Sequence, residues 1–390
     1  MIAMMTSRTL RQSKDILGMF LGANTRIMST KKFSSSSGSK EIEPIRKSVF
    51  ISQSYDIFTN LALEDWIYKN YDFGNHHVLM LWLNDPCVVI GRHQNPFNET
   101  NVSQLESAGI ELARRNSGGG TVFHDRNNLN CTFFTPRERY DRKYNLNLIT
   151  RAIYREYGID TEISPRDDIL LHGKKISGTA AKLGHPNCYH HCTLLVNSNK
   201  NHLNESLMKN EKAEIKSKAT ASVRSATKNL ADVNKNVNIQ QLLTAIGYEF
   251  LRTPAEKLCD GGRELVMQQR GFQLINPTEK WFPGLSELKE NFASWDWRYG
   301  KTPNFSVQKN IQLKSDEQSH DIKLNVDVEK GLIKNIDLML KNSTENMPIV
   351  SSLIGQPYNE NNFERITNAL ANVSSENVKS VLAEECKNGL

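Results

Sequence analysis

Apolar and polar residues repeat along the chain with two periods, which predict helices and strands. Residues 54–69 (SYDIFTNLALEDWIYK) carry apolar side chains near helical spacing, with acidic residues early and a lysine late, so they predict an amphipathic helix. The same spacing predicts a helix over residues 146–159. The apolar runs at residues 78–83 and 87–91 flank a turn-like NDP, which predicts two paired strands.

Strand-like runs dominate the middle of the chain. TVFHD and NCTFFT are predicted as a β-rich pair around a polar turn, and HHCTLLVNS as a further strand. DDILL and KKISGTAAK are predicted to form a hairpin that turns at His172 and Gly173. These elements alternate in an α+β order rather than as repeated βαβ units.

The later part of the chain contains a long polar stretch and a second patterned unit. Residues 197–240 interrupt the hydrophobic pattern, which is typical of a disordered loop or a functional lid. Beyond a proline-containing connection, SHDIKLNVDVEKGLIKNIDLML predicts a hairpin, and residues 361–373 and 375–390 are predicted to be helical. We therefore predict a large domain over residues 45–285 and a small C-terminal α+β domain over residues 286–390.

Charge is concentrated at one end of the chain. Residues 1–40 hold seven Lys or Arg and one Asp, so their net charge is +6. This is also the net charge of all 390 residues. A basic, Ser-rich and acid-poor segment of this kind predicts a mitochondrial presequence, with a disordered basic tail as the alternative. The remaining chain is formally neutral, which argues against a nucleic-acid partner. No apolar window has the ~18 to 20 residues of a membrane span.

The six cysteines form no CxxC pair. Cys188 and Cys192 lie beside His190 and His191, which raises the question of a metal site, but no second group of ligand residues accompanies them. Reduced, buried thiols are therefore the favoured interpretation, and no metal site is predicted.

The segment ARRNSGGGTVFHD holds the first candidate chemistry. Consecutive glycines expose backbone N–H groups that can surround an anion, and arginine adds bidentate donors. The spacing matches neither a P-loop nor a dinucleotide fingerprint. His124 and Asp125 suggest a catalytic dyad, but neighbouring residues on a strand point to opposite faces and no GxSxG motif is present, so a supporting role is expected.

Lys175 is the second candidate. It precedes ISGTA, whose small residues leave open space, and a lysine there can neutralise phosphate and carbonyl oxygens during acyl transfer. A solvated strand lysine is the alternative interpretation.

Five motifs occur in the order found in lipoate-protein ligases, and the chain resembles that family from about residue 48 into the C-terminal domain. They are GRHQNP, RRNSGGGTVFHD, KKISGTAAK, YHHCTLL and TASVRSATKNL, with SWDWRYGKTPNFS as a further likeness. With the presequence, the chain resembles the lipoyltransferases of animal mitochondria within that family. It departs from bacterial ligases at Asn127 and Cys192, where they often have glycine.

The resemblance implies a fold and a set of site residues. The fold is α+β, with a large biotin/lipoate ligase-like catalytic domain of mixed sheets and flanking helices and a small C-terminal accessory domain that acts as a cap. The large domain would hold lipoyl-AMP, with Lys175 as the catalytic group at the phosphate and the acyl carbonyl, and Phe123 covering the ligand. The implied binding residues are Arg115, Gly120, Thr121, Val122, Phe123, Arg166, Lys175, Thr193, Ala219, Thr220 and Ala221.

The resemblance also implies the reaction and its partners. A monomer in the mitochondrial matrix would pass a lipoyl group from lipoyl-AMP, or from the lipoylated glycine cleavage H protein, to a lysine of the lipoyl domains in 2-oxo acid dehydrogenase acyltransferase subunits. One alternative is a complete ATP-dependent ligase, in which Asp167 and Asp168 would hold Mg. The other is a non-catalytic lipoyl-domain or nucleotide-binding protein, although Arg115, Arg166 and Lys175 are all present.

Overall fold

The computed structural model describes residues 45–208, 214–253, 271–313, 320–340, 346–348 and 353–361, together with residues 363, 364 and 367. The predicted presequence over residues 1–40 and most of the two predicted C-terminal helices lie outside the described residues. Residues 44–390 form one compact unit, and the boundary near residue 285 stays a prediction.

The elements are numbered in chain order. The strands are β1 (Arg46–Ser52), β2 (His76–Trp82), β3 (Cys87–Ile90), β4 (Glu111–Arg114), β5 (Val122–His124), β6 (Asn128–Pro136), β7 (Glu162–Ile163), β8 (Ile169–Leu171), β9 (Lys174–Ser177), β10 (Thr179–Leu183), β11 (Asn187–Leu195), β12 (Glu214–Ser217), β13 (Phe272–Ile275), β14 (Phe305–Leu313), β15 (His320–Glu329), β16 (Leu332–Leu340) and β17 (Asn346–Pro348). The α-helices are α1 (Ile57–Asn70), α2 (Pro96–Glu99), α3 (Val102–Ser107), α4 (Arg142–Tyr157), α5 (Lys200–Ser206), α6 (Ile239–Arg252) and α7 (Leu285–Ala293).

A mixed six-stranded sheet, ordered β10-β11-β6-β2-β1-β13, forms the centre of the molecule. Strand β1 is parallel to β2 and β13, and the other pairings are antiparallel. Because side chains alternate along a strand, Leu79 and Leu81 join the core under helices α4 and α6, whereas Met80 and Trp82 face helix α1. The sheet is therefore covered on both faces.

Capping residues mark the starts of helices α1 and α4 and the end of α4. Asp56 caps α1 by accepting the backbone N–H of Thr59, and Asp141 caps α4 by accepting that of Tyr144. Helix α4 ends at Gly158, which has a φ of 66°. Both predicted helices are thus confirmed, with boundaries shifted by a few residues.

The predicted pairing of residues 78–83 with residues 87–91 is wrong, although both runs are strands. Strand β2 pairs with β1 and β6 in the large sheet, whereas β3 pairs with β4 and β5 in a separate three-stranded sheet. TVFHD and NCTFFT likewise join different sheets instead of pairing with each other. A strand that is apolar along its whole length is buried on both faces, and its pattern does not identify its neighbours.

Two predicted hairpins are confirmed. Strands β8 and β9 pair through His172 (φ 52°) and Gly173 (φ 71°), and β15 and β16 pair through Lys330 (φ 52°) and Gly331 (φ 77°). KKISGTAAK is not one strand, however. It divides at Gly178, so that β9 lies in a small sheet and β10 lies at the edge of the large one.

The C-terminal sheet, ordered β12-β14-β15-β16-β17, packs against the small sheet that contains β3 and β5. Strand β12 and helix α5 come from the polar stretch over residues 197–240, so its described part contains regular structure rather than only a loop. Helix α7, which begins at residue 285, packs on α1 rather than on the C-terminal sheet. Among the helices of the described ranges, none has the length and apolar character needed to cross a membrane.

Candidate active site

A cavity lies between the large sheet and the sheet of β3, β4 and β5, beside helix α1. One part of its wall is apolar, with Leu61, Trp82 and Val89, and another part is charged. Its walls are formed by Leu61, Trp82, Val89, Arg115, residues 119–122, His124, Asn130, Arg142, Arg166, Asp168, Lys175, residues 178–180, residues 191–193, Ser222 and Val223.

A second cavity adjoins the first on the other side of Lys175. The two share Thr121, Val122, Lys175, Gly178, Thr193, Ser222 and Val223, so these residues form a junction between them. The second cavity is completed by Glu99, Phe123, Ser177, Leu195, Leu203, Asn204, Leu207, Arg224, Ser225 and Thr227. The arrangement suits a ligand with two arms that meet near the amine of Lys175.

The glycine loop, residues 115–121, is held in shape by Arg115. Its Nε donates to Ser117 Oγ at 3.0 Å, Nη1 donates to the carbonyl of Val89 at 3.0 Å, and Nη2 donates to the carbonyls of Gly118 and Gly120 at 2.7 Å each. Burial lowers the pKa of Arg115 to about 10, so the guanidinium stays charged at neutral pH. Arg115 borders the cavity, but most of its donors serve the loop itself.

Two glycines of this region are required by backbone geometry. Gly119 has a φ of 87°, which side-chain-bearing residues rarely adopt. A Cβ added at Gly91 would lie 2.2 Å from the carbonyl oxygen of Gly119, so the GRHQNP motif and the glycine loop approach each other backbone to backbone. The glycines therefore let the two loops approach each other closely, and they also leave backbone N–H groups uncovered by side chains, where an anion can bind.

Lys175 reaches the junction from β9. Its Nζ lies 2.8 Å from Asp168 Oδ1, and its aliphatic chain runs over Gly178, where an added Cβ would lie 3.1 Å from Lys175 Cε. The backbone of Lys175 is fixed by two hydrogen bonds. Its N–H donates to the carbonyl of Ala226, and its carbonyl accepts the N–H of Lys228. The ammonium is thus aimed from a rigid strand.

The charged part of the first cavity is predominantly basic. Arg115, Arg142, Arg166 and Lys175 border it together with one carboxylate, Asp168, so the lining favours an anion. Asp167 is bound to Arg142, at 3.2 Å between Oδ2 and Nη1. Both carboxylates that would hold Mg in the alternative ligase therefore have cationic partners, which makes them a poor fit to a divalent cation in this conformation.

His124 and Asp125 face different neighbours, as expected for adjacent strand residues. Asp125 accepts the backbone N–H groups of Asn127 and Asn199 and the hydroxyl of Ser198, so it fastens two loops. His124 borders the first cavity and bonds to Asn84 through Nδ1 at 2.8 Å. The two side chains make no catalytic dyad.

Most of the sequence-predicted residues come together here. Arg115, Gly120, Thr121, Val122, Arg166, Lys175 and Thr193 border the first cavity. Phe123 borders the second, but its side chain is 3% exposed and packs in the core with the C-terminal sheet. Strand alternation turns the ring away from the face of Val122 and His124, and its coverage of a ligand stays a prediction.

Ala219, Thr220 and Ala221 border neither cavity, so their contact with a ligand stays a prediction. The N–H of Thr220 donates to the carbonyl of His93 and its own carbonyl accepts from Gln94, so this turn is fastened to the GRHQNP motif. Ser222 and Val223, the next two residues, form the wall instead. Ser222 Oγ accepts the N–H of Thr121 at 2.8 Å and thereby connects the turn to the glycine loop.

A buried hydrogen-bond chain behind the glycine loop was missed from the sequence. Glu64 of α1 bonds to His191 Nδ1 at 2.9 Å, and His191 Nε2 bonds to Ser117 Oγ at 2.7 Å. Beside it, Asp65 accepts the side-chain amide of Asn116 at 2.8 Å. The acidic pair Glu64-Asp65 inside an otherwise apolar helix was the available signal, since buried carboxylates need partners.

Comparison with known proteins identifies the family. A family model described as the lipoyl protein ligase A/B catalytic domain matches residues 56–251. The mitochondrial lipoyl amidotransferase LIPT1 of Homo sapiens is 37% identical over 348 residues, which cover 86% of this chain and 90% of the human one. The chain belongs to the lipoyl protein ligase A/B family.

Other members of this family agree in sequence and in structure. The mitochondrial lipoyl amidotransferase LIPT1 of Mus musculus is 40% identical over 294 residues, 75% of each chain. The crystal structure of LipL1 of P. falciparum in complex with lipoate is 26% identical, with a TM-score of 0.56 over 75% of this chain and 84% of that one. The predicted α+β ligase-like fold and the predicted class, a lipoyltransferase enzyme of protein lipoylation, are confirmed.

Proposed function

We propose that this protein is a lipoyl amidotransferase of the mitochondrial matrix, which transfers a lipoyl group from lipoyl-AMP to a lysine of a lipoyl domain. The relatives named mitochondrial lipoyl amidotransferase support the location and the class of reaction. A lipoylated H protein is the alternative acyl donor. The acceptors are the lipoyl domains of 2-oxo acid dehydrogenase acyltransferase subunits, and the protein acts as a monomer.

The junction of the two cavities at Lys175 carries the proposal. An acyl-adenylate has an apolar chain and a nucleoside, joined by an acyl phosphate. The first cavity offers Leu61, Trp82 and Val89 to the chain, and the second offers Leu195, Leu203 and Leu207 to the nucleoside. The mixed anhydride then lies at the junction, which Lys175 and Thr121 border from both cavities.

The chemistry needs positioning and charge stabilisation. The acceptor lysine amine attacks the acyl carbon, the bond from that carbon to the phosphate oxygen breaks, and AMP leaves with the electron pair while the amine loses a proton. Lys175 stabilises the developing oxyanion and the leaving phosphate, and Arg166 adds positive charge nearby. The ion pair with Asp168 keeps the Lys175 amine in place before the ligand arrives.

The proposed donor is tested by supplying three donors separately to the purified protein with an unmodified lipoyl domain. These are lipoyl-AMP, lipoate with ATP and Mg²⁺, and lipoylated H protein, and mass spectrometry measures the lipoyl group on the acceptor. We expect product from lipoyl-AMP and none from lipoate with ATP. Product from lipoate with ATP would instead identify a complete ligase, and no product from any donor would reject the enzyme assignment.

Lys175→Ala is expected to lower kcat for transfer from lipoyl-AMP by on the order of 10²- to 10³-fold, by analogy with the loss of one oxyanion-stabilising donor. Lys174→Ala is the matched control, because Lys174 is the exposed neighbour on the same strand and borders neither cavity. Turnover of the Lys175→Ala protein close to that of the control would remove Lys175 from the mechanism.

A further inference from the structure

His124 lies in the part of the first cavity away from the junction. It borders the first cavity and not the second, as do Leu61, Trp82 and Val89. Its imidazole meets the Trp82 ring edge-on, with 6.0 Å between the ring centroids. In the proposed function this part of the cavity receives the far end of the acyl chain, so a polar ring among apolar side chains requires an explanation.

The hydrogen bonds of Asn60 fix the orientation of its amide. Asn60 Nδ2 lies 3.0 Å from each of the carbonyl oxygens of Ser54 and Leu83, which share its two hydrogens with Asn84 Oδ1. Asn60 Oδ1 accepts the hydroxyl of Ser52 at 2.6 Å. Because carbonyl oxygens only accept, the nitrogen of this amide must face them. The same Nδ2 lies 2.8 Å from Asn84 Oδ1, so Asn84 presents its oxygen to Asn60.

The orientation of Asn84 in turn fixes the tautomer of His124. With its oxygen on Asn60, Asn84 donates through Nδ2 to His124 Nδ1 at 2.8 Å. Burial, with the nearby Arg115 and His191, lowers the pKa of His124 to about 3, so the ring is neutral and carries one proton. Since Nδ1 accepts, that proton lies on Nε2.

The resulting Nε2–H is a buried donor without an acceptor. His124 is 3% exposed, and its Nε2 has no hydrogen-bond partner among the residues that the structure describes. A buried donor left without a partner is destabilising, so a ligand that supplies an acceptor here is favoured over one that does not. A saturated hydrocarbon end supplies none, whereas a sulfur atom is a weak acceptor.

We propose that the Nε2–H of His124 donates a hydrogen bond to a sulfur of the dithiolane ring, and so makes this protein prefer lipoyl over octanoyl chains. The inference rests on the proposed function, because it requires the acyl chain to occupy the first cavity. His124 is then a specificity-determining residue, and Asn84 is a positioning residue that holds its tautomer.

The test compares three acyl groups on the wild-type protein. They are lipoyl, 5-cyclopentylpentanoyl, which has a ring of carbon alone at the same place, and octanoyl. Transfer is measured as kcat/KM from the acyl-AMP, and binding as Kd of the non-hydrolysable acyl-sulfamoyl adenosines. We expect kcat/KM for lipoyl to be on the order of tenfold higher, and Kd of the lipoyl analogue on the order of tenfold lower, than for both other groups. Equal values for the lipoyl and cyclopentyl groups would overturn the inference.

Variants then assign the preference to His124. His124→Phe keeps an aromatic ring without the donor, and we expect its preference for lipoyl over the cyclopentyl group to fall to about onefold, mainly through KM. His124→Gln keeps an N–H donor and is expected to retain part of the preference. A lipoyl preference unchanged in His124→Phe would overturn the role of His124. Tenfold tighter binding of the lipoyl analogue without any acyl transfer would support the inference while rejecting the proposed function.

Discussion

The contact between Gly178 and Lys175 gives a direct test of how the Lys175 ammonium is positioned. A Cβ at residue 178 would lie 3.1 Å from Lys175 Cε and 3.2 Å from Lys175 Nζ, and 3.8 Å from Thr193 Oγ1. Carbon atoms prefer separations of about 3.5 to 4.0 Å, so Gly178→Ala must displace the end of the lysine by about half an ångström. The Asp168 carboxylate, 2.8 Å away, would lose or lengthen its bond to Nζ.

The two consequences of this displacement differ in size. The atoms that must move are the flexible end of a side chain, so the free energy of unfolding should change by less than about 1 kcal/mol. A misplacement of 1 Å in an active site can cost about 10²-fold in rate, so half of that predicts a loss of about tenfold in kcat for acyl transfer from lipoyl-AMP. Activity should therefore fall while stability stays nearly constant.

The assay combines transfer kinetics with urea unfolding and uses a double-mutant cycle. Gly300→Ala is the control, because an added Cβ there meets nothing closer than 3.5 Å. If Gly178 acts through the amine, Gly178→Ala should have no further effect on kcat in a Lys175→Ala background. Full additivity of the two losses, or normal turnover of Gly178→Ala, would refute the reasoning.

Two further predictions concern stability. Gly91→Ala places a Cβ 2.2 Å from the backbone oxygen of Gly119, so one of the two backbones must shift. We expect the free energy of unfolding, measured in urea, to fall by about 3 kcal/mol or more. A fall below about 1 kcal/mol would mean that the two loops are free to separate. Burial and the nearby Arg151 lower the pKa of Lys47 to about 7, so the unfolded chain binds more protons above that pH. The free energy of unfolding should therefore rise between pH 7 and 10 by up to about 1.4 kcal/mol per unit relative to Lys47→Met, and equal pH slopes in the two proteins would contradict this.

The elements themselves were predictable from the sequence, but their partners were not. The hairpin through His172 and Gly173 was correct because its turn needs two residues with positive φ and its strands are adjacent. The assignment of β2 and β3 to different sheets depends on contacts with β1, β4, β5 and β6, which are distant in sequence. Local pattern does not encode such pairings.

The part of the candidate site that the sequence motifs themselves line was predictable from the sequence. Lys175 could be selected from its own motif and Arg166 through the family resemblance, and both border the first cavity. The hydrogen bonds between His191 and Glu64 and between Asn84 and His124 join residues 127 and 40 positions apart. The acidic pair Glu64-Asp65 indicates that a buried partner exists, but no sequence pattern identifies that partner, and Asn84 and His124 each resemble an ordinary buried polar residue.

The chain of hydrogen bonds from Arg115 to Glu64 fixes the shape of the glycine loop through the protein's own groups. Ser117 Oγ accepts a hydrogen bond from Arg115 Nε, so its own hydroxyl can donate to His191 Nε2. His191 Nδ1 then carries the ring proton and donates it to Glu64. Each group in this series is then satisfied, and the buried carboxylate offsets the buried guanidinium. A loop ordered in advance requires no further ordering when the acyl phosphate binds, so more of the binding free energy is available to position the reacting carbonyl.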